Sequence, residues 1–99
     1  MSMDRIIVEE ARLIILKALA EQLNERLNSS MLEAAIATFG IARPRAWVHQ
    51  QMDYLREMGA VTVEDVSTVK VATLTETGSR HLRREIAIEG VKRPSRPEA

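Results

Sequence analysis

Two helical stretches separated by only four residues, "GIAR" at 40–43, constrain this chain more than any other feature. Gly40 is a natural left-handed stop for the first stretch. Pro44 is welcome in the opening turn of the second, where its missing N–H would have no helical partner. The second helix runs from there to about Met58 and is ended by Gly59. Within it Val48, Met52 and Leu55 share one face and form the buried side, with Gln51 and Met58 at its edges. Before the link, Asn28, Ser29 and Ser30 are all possible N-caps, and Ser30 with Glu33 fits a capping box. Leu32, Ala35, Ile36 and Phe39 supply that helix's buried face.

The flanks extend the pattern. From Asp4 to about Leu23, Ile7, Ala11, Ile14 and Ala18 follow helical spacing, with Val8, Ile15 and Leu19 in a second stripe beside them. One core needs a stripe only about 100° wide. The surplus implies either a homodimer contact through this helix or later elements wrapping both of its sides. After Gly59, "AVTVEDV" and "TVKVATLT" alternate and are rich in β-branched residues, so they read as a hairpin joined by a loop of a few polar residues. Thr75 caps a last helix over about Glu76–Ile88, with Leu82 and Ile86 facing inward.

Helix, helix, short turn, helix, hairpin, helix is the order of a winged helix-turn-helix domain. The fold expected is mainly α with a small β-hairpin, the domain over residues 1–89 and a basic, proline-containing flexible tail over 90–99. At 99 residues the chain is one domain's length. It has no cysteine, so disulfides, thiolate metal sites and thiol nucleophiles are excluded. Asp4, Arg5, Glu9, Glu10, Arg12 and Lys17 interrupt the apolar start before a signal-peptide core or membrane span can form. A soluble, cytoplasmic protein is expected.

The formal charge is zero, which does not help a nucleic-acid binder. Its distribution is more favourable. Arg43 and Arg45 sit together, and Arg80, Arg83, Arg84, Lys92, Arg93 and Arg96 make the C-terminal quarter basic. On the helix after the turn, Arg45, Ala46, His49, Gln50 and Asp53 fall opposite the buried stripe, mostly in the first two turns. In helix-turn-helix proteins that half of the second helix enters the major groove. Arg45 can bond bidentately to guanine, Gln50 to adenine, and His49 to a base edge or phosphate. Arg43 is placed for the backbone, and Asp53 can accept from cytosine or restrain its neighbours. Lys70 on the returning wing strand, with Arg80 and Arg84, completes the set expected to meet DNA. The wing offers Glu64 and Asp65, the wrong charge for gripping phosphates. Trp47 flanks the buried stripe and suits packing better than base stacking.

"LIILKALAEQ", "VHQQMDYLREMGAVTVE" and "VATLTETG" resemble the pattern of bacterial winged-helix regulators of the MarR and ArsR groups. Together with "RLN" and the ending "GVKRPSRP", they resemble a family of small Mu-like prophage proteins. The resemblance spans nearly the whole chain and implies the winged-helix fold, with His49, Gln50 and Asp53 at surface sites of the recognition helix. The cysteine motif of metal-sensing ArsR proteins is absent, so no metal or other cofactor is expected. His49 with Asp53, Glu9 with Glu10, and Glu64 with Asp65 belong to no nucleophile, glycine-loop or metal pattern, and an enzyme is not expected. Two functions stay open: a DNA-binding transcriptional regulator of phage origin, homodimeric through the N-terminal helix, or a winged-helix module that binds protein instead.

Overall fold

The computed structural model describes residues 2–96. The elements follow the order α1 (Met3–Ala20), β1 (Arg26–Asn28), α2 (Ser29–Thr38), α3 (Arg45–Glu57), β2 (Val61–Val66), β3 (Val69–Leu74) and α4 (Glu76–Leu82). Helix α1 is the hub, packing against α2, α3, α4, β1 and β3. Both of its apolar stripes are largely consumed inside the chain: Ala11, Ile14, Ile15, Leu16 and Leu19 are buried. Against them lie Leu32 and Ile36 of α2 and Val48, Met52 and Leu55 of α3, all fully buried. Much of the surplus face is therefore covered by later elements, and the large apolar residues still exposed on α1 are Met3 and Ile6.

Asn28 caps α2, its side chain accepting the Met31 N–H at 2.9 Å. The Ser30–Glu33 capping box does not form, since the helix has already begun at Ser29. Phe39, expected in the core, is the C-cap residue and 67% exposed, because the chain leaves helical geometry there and swings the ring off the buried face. Gly40 and Gly59 follow α2 and α3 with φ of +86° and +78°, left-handed positions that end each helix without a Cβ clash. Pro44 stands one place earlier than expected, as the extended N-cap of α3.

The sheet has the order β1-β3-β2, antiparallel throughout. Strand β1 is the element missed in sequence: three residues, "RLN", pairing Leu27 with Ala72. A run so short carries no period to read. The hairpin is tighter than expected, Val66 pairing Val69 across Ser67 and Thr68, with Ser67 at φ +56°. Val61, Ala72 and Leu74 face the core.

Thr75 joins the hairpin to α4. Its hydroxyl accepts the Gly78 N–H as the cap and donates to the Gly59 carbonyl at 2.6 Å. Helix α4 ends at Leu82, well short of Ile88, and Arg84 takes φ +63°. The buried His81 stops it, accepting the Ile88 N–H on Nδ1 at 3.0 Å so that the chain doubles back and buries Ile88. Leu82 and Ile86 reach only half burial.

Residues 90–96, expected to leave the domain as a flexible tail, pack against it instead. Val91 and Pro94 are buried, Lys92 N–H donates to the Glu9 carbonyl, and the Arg84 guanidinium donates to the Pro94 carbonyl. Apolar Val91 and the chain's own carbonyls supply contacts that a count of basic and proline residues does not register. Residues 97–99 of that segment lie outside the described residues.

Candidate nucleic-acid interface

Helix α3 is anchored by Val48, Gln51, Met52 and Leu55, which are buried. Behind it Arg12 of α1 holds the helix in place. The Arg12 guanidinium lies 3.5 Å from the Tyr54 ring centroid, and its Nε donates to Gln51 Oε1 at 3.0 Å. Its other end donates to the Gly90 carbonyl, while the Tyr54 hydroxyl donates to the Glu89 carbonyl at 2.6 Å. Helix α1 and the segment at Glu89 and Gly90 thus fix the rotation of α3, and burial holds the Arg12 pKa below the usual arginine value.

That rotation turns Ala46 and Gln50 fully outward and leaves Arg45, His49 and Asp53 half-buried beside them. Arg45 Nε sits 3.5 Å from Glu33 Oε1 of α2 but makes no hydrogen bond, and Asp53 Oδ1, 3.8 Å from Arg56, also lacks one. Arg43, in the link, lays its guanidinium 5.5 Å from the Trp47 ring centroid and donates to the Ala42 carbonyl. Trp47 is half-buried against the core, the packing role expected of it.

His49 couples α3 to the wing. Its Nε2 lies 2.9 Å from Ser29 Oγ, and the same oxygen accepts the Lys70 backbone N–H at 3.1 Å. Burial, then the positive charges of Lys70 and Arg45, hold the His49 pKa below the ordinary histidine value, against the pull of Asp53 and Asp65. Arg45, His49, Asp53 and Lys70 therefore share one electrostatic neighbourhood. Ser29 was missed as a site residue: in sequence it is only one of three adjacent capping candidates.

The acidic wing is less repulsive than its composition suggests. Glu64 pairs with Arg26 of β1 at 3.1 Å, and Asp65 with Lys70 at 2.9 Å, which lowers the Asp65 pKa. Arg26 reaches the wing because β1 pairs with β3. The C-terminal basic group is mostly engaged elsewhere. Arg80 pairs with Glu85, Arg83 with Glu76 and Glu85, Lys92 with Glu10, and Arg84 holds Pro94. Arg80 and Arg84 lie on and just beyond α4, which packs on α1, and the structure does not gather them with the α3 residues.

No protein-family model matches the chain. The uncharacterized protein gp26 of Escherichia phage Mu is 38% identical over 94 residues, which cover 95% of this chain and 96% of that one. The chain belongs to the phage Mu gp26 family.

Solved structures give this gp26-family member its fold. A MarR family transcriptional regulator from Streptomyces coelicolor, determined in complex with DNA, matches with TM-score 0.64 and 26% identity over 75% of this chain and 45% of its own. The chain thus spans less than half of that regulator. A winged-helix DNA-binding protein from STIV matches with TM-score 0.59 and 27% identity, covering 74% of this chain and 79% of its own. AbsC, a second MarR family regulator of S. coelicolor, adds a likeness of fold at 20% identity and TM-score 0.62, over 82% and 62% of the two chains. The fold is a winged helix, and the helix-turn-helix expected from the sequence is α2 and α3. Helix α3 contains no cysteine. His49 and Asp53 are joined by no third ligating side chain, and among the described residues no three histidine or acidic groups converge.

Proposed function

We propose that this protein binds duplex DNA as a winged-helix regulator of phage origin, with the N-terminal half of α3 in the major groove. The observation that carries the reading is the single outward face of α3, where Arg45, Ala46, His49, Gln50 and Asp53 stand together on a helix clamped from behind by Arg12. The likeness to a regulator crystallised in complex with DNA supports DNA binding, and the groove assignment follows the general docking of helix-turn-helix units. Arg45 and Gln50 read bases, Arg43 and Lys70 meet phosphates, and the first-turn N–H groups of α3, which no side chain caps, add to the backbone contact. Arg80 and Arg84 are left out, since they lie on and just beyond α4, which packs on α1 and not beside the outward face of α3. A DNA partner places the protein in the cytoplasm; none of the described helices is long and apolar enough to cross a membrane.

The test is duplex binding at two salt concentrations. With about two or three phosphate contacts, a fourfold rise in salt weakens binding roughly tenfold to fiftyfold. The double variant Arg45→Ala, Gln50→Ala loses discrimination between sequences more than it loses total binding. Absence of binding even at low salt overturns the proposal and favours a protein partner, as the neutral overall charge would suit.

We further propose that two chains pair through α1. Ile6, Met31 and Phe39 remain exposed, the last two along an open groove between α1 and α2 that Ile14, Ala18 and Leu27 line. Glu10 and Lys17 flank the same side of α1. An antiparallel second copy, centred between Leu13 and Ile14, sets each Glu10 against the other chain's Lys17. Sedimentation at micromolar concentration is expected to give the mass of two chains, and Phe39→Glu the mass of one with the helical spectrum unchanged. A single-chain mass for the wild type rejects the pairing.

A further inference from the structure

Ser29 is wholly buried although it opens α2 and does no capping. Its Oγ has two neighbours, one from each side of the reading surface. The Lys70 backbone N–H reaches it from β3 at 3.1 Å, and His49 Nε2 from α3 at 2.9 Å. A backbone N–H can only donate, so Oγ accepts from Lys70. The hydroxyl's own hydrogen then needs an acceptor, because a buried polar group left unpaired is strongly disfavoured. Among the described residues the acceptor in reach is His49 Nε2. That nitrogen is therefore bare, and the imidazole proton sits on Nδ1. Nδ1 has no protein partner among the described residues, and the ring is only half-buried. The ring's one N–H is thus left for a ligand.

His81 is wired the opposite way. Its Nδ1 accepts the Ile88 N–H at 3.0 Å, so its proton is on Nε2, which donates to the Lys92 carbonyl at 3.0 Å. The two histidines of the chain are opposite tautomers.

We infer that Ser29 is a positioning residue that fixes His49 as a hydrogen-bond donor through Nδ1, so that His49 recognises a base edge offering an acceptor: purine N7, guanine O6 or thymine O4. The inference rests on the DNA-reading role of α3 proposed above. An edge that offers only a donor, the cytosine N4 amino group, is rejected at that position. The same hydrogen-bond chain ties the wing strand at Lys70 to the reading helix, so the ring's direction is set by two elements at once.

The first measurement needs no DNA. Nitrogen NMR of the full chain with labelled histidine, at a pH where both rings are neutral and with His49→Gln to assign the signals, is expected to show Nδ1–H for His49 and Nε2–H for His81. A protonated Nε2 on His49 overturns the inference. The second measurement uses DNA. Ser29→Ala is expected to flatten the base preference at the contacted position by roughly fivefold to tenfold, with non-specific binding changed less than about twofold. In the His49→Gln background, Ser29→Ala is expected to cost no further discrimination. A full additional loss there overturns the positioning role in favour of general packing. If Ser29→Ala does not fold, the wild-type tautomers still decide the wiring. Tautomers as stated in a chain that binds no duplex overturn the DNA reading, and the base-reading role with it, while the hydrogen-bond chain stands.

Discussion

His49 shows how a single side chain acquires properties its sequence position does not announce. Spacing puts it on the outer face of α3, where the structure leaves it half-buried. Only the fold brings Ser29, Lys70 and Asp65 around it. Its pKa in the folded chain lies below the ordinary 6.5. As the pH falls, the unfolded chain therefore takes up the proton first. The stability tied to neutral His49 is fully present above about pH 6.5 and is lost as the pH drops through the lower folded value. The Tm of wild type minus that of His49→Gln is accordingly expected to be more positive at about pH 8 than at about pH 5. Equal differences at both would show that burial and the neighbouring cations do not act on this ring.

Among the elements, α4 depends most on one close approach. Gly78 is buried against the link between α3 and β2, and a Cβ there would fall on the Ala60 carbonyl oxygen and the Leu74 side chain. The residue is helical, so alanine would ordinarily be the better helix former. Here Gly78→Ala is expected to destabilise the fold by about 1–3 kcal/mol, read as a lower Tm, because overpacking outweighs the gain in propensity. A rise in Tm would mean that α4 can move off Ala60 at little cost. The helix ends, by contrast, were readable locally: Gly40, Pro44, Gly59 and Thr75 each punctuate the chain through their own backbone or hydroxyl chemistry. The C-terminus of α4 was not, because His81 ends it by capturing an N–H seven residues on.

For the whole molecule, the segment after Gly90 behaves as part of the domain. Val91 and Pro94 are buried, Lys92 bonds back to Glu9 and His81, and Gly90 and Glu89 accept from Arg12 and from Tyr54 of α3. Truncation after Gly90 is expected to cost about 2–4 kcal/mol in denaturant unfolding, from lost apolar burial and an unpaired His81 Nε2–H. An unchanged midpoint would make the segment dispensable. The sequence by itself determined the winged-helix order, the buried stripe of α3 and the set of residues opposite it, since these follow from helical period, turn chemistry and strand alternation within a few residues of each other. Only the tertiary structure decided that Phe39 is exposed, that "RLN" is a strand, that the wing's carboxylates are paired, and that Ser29 directs His49. Each of these joins residues from different elements, and no local period or capping rule records which distant groups the packed core will set side by side.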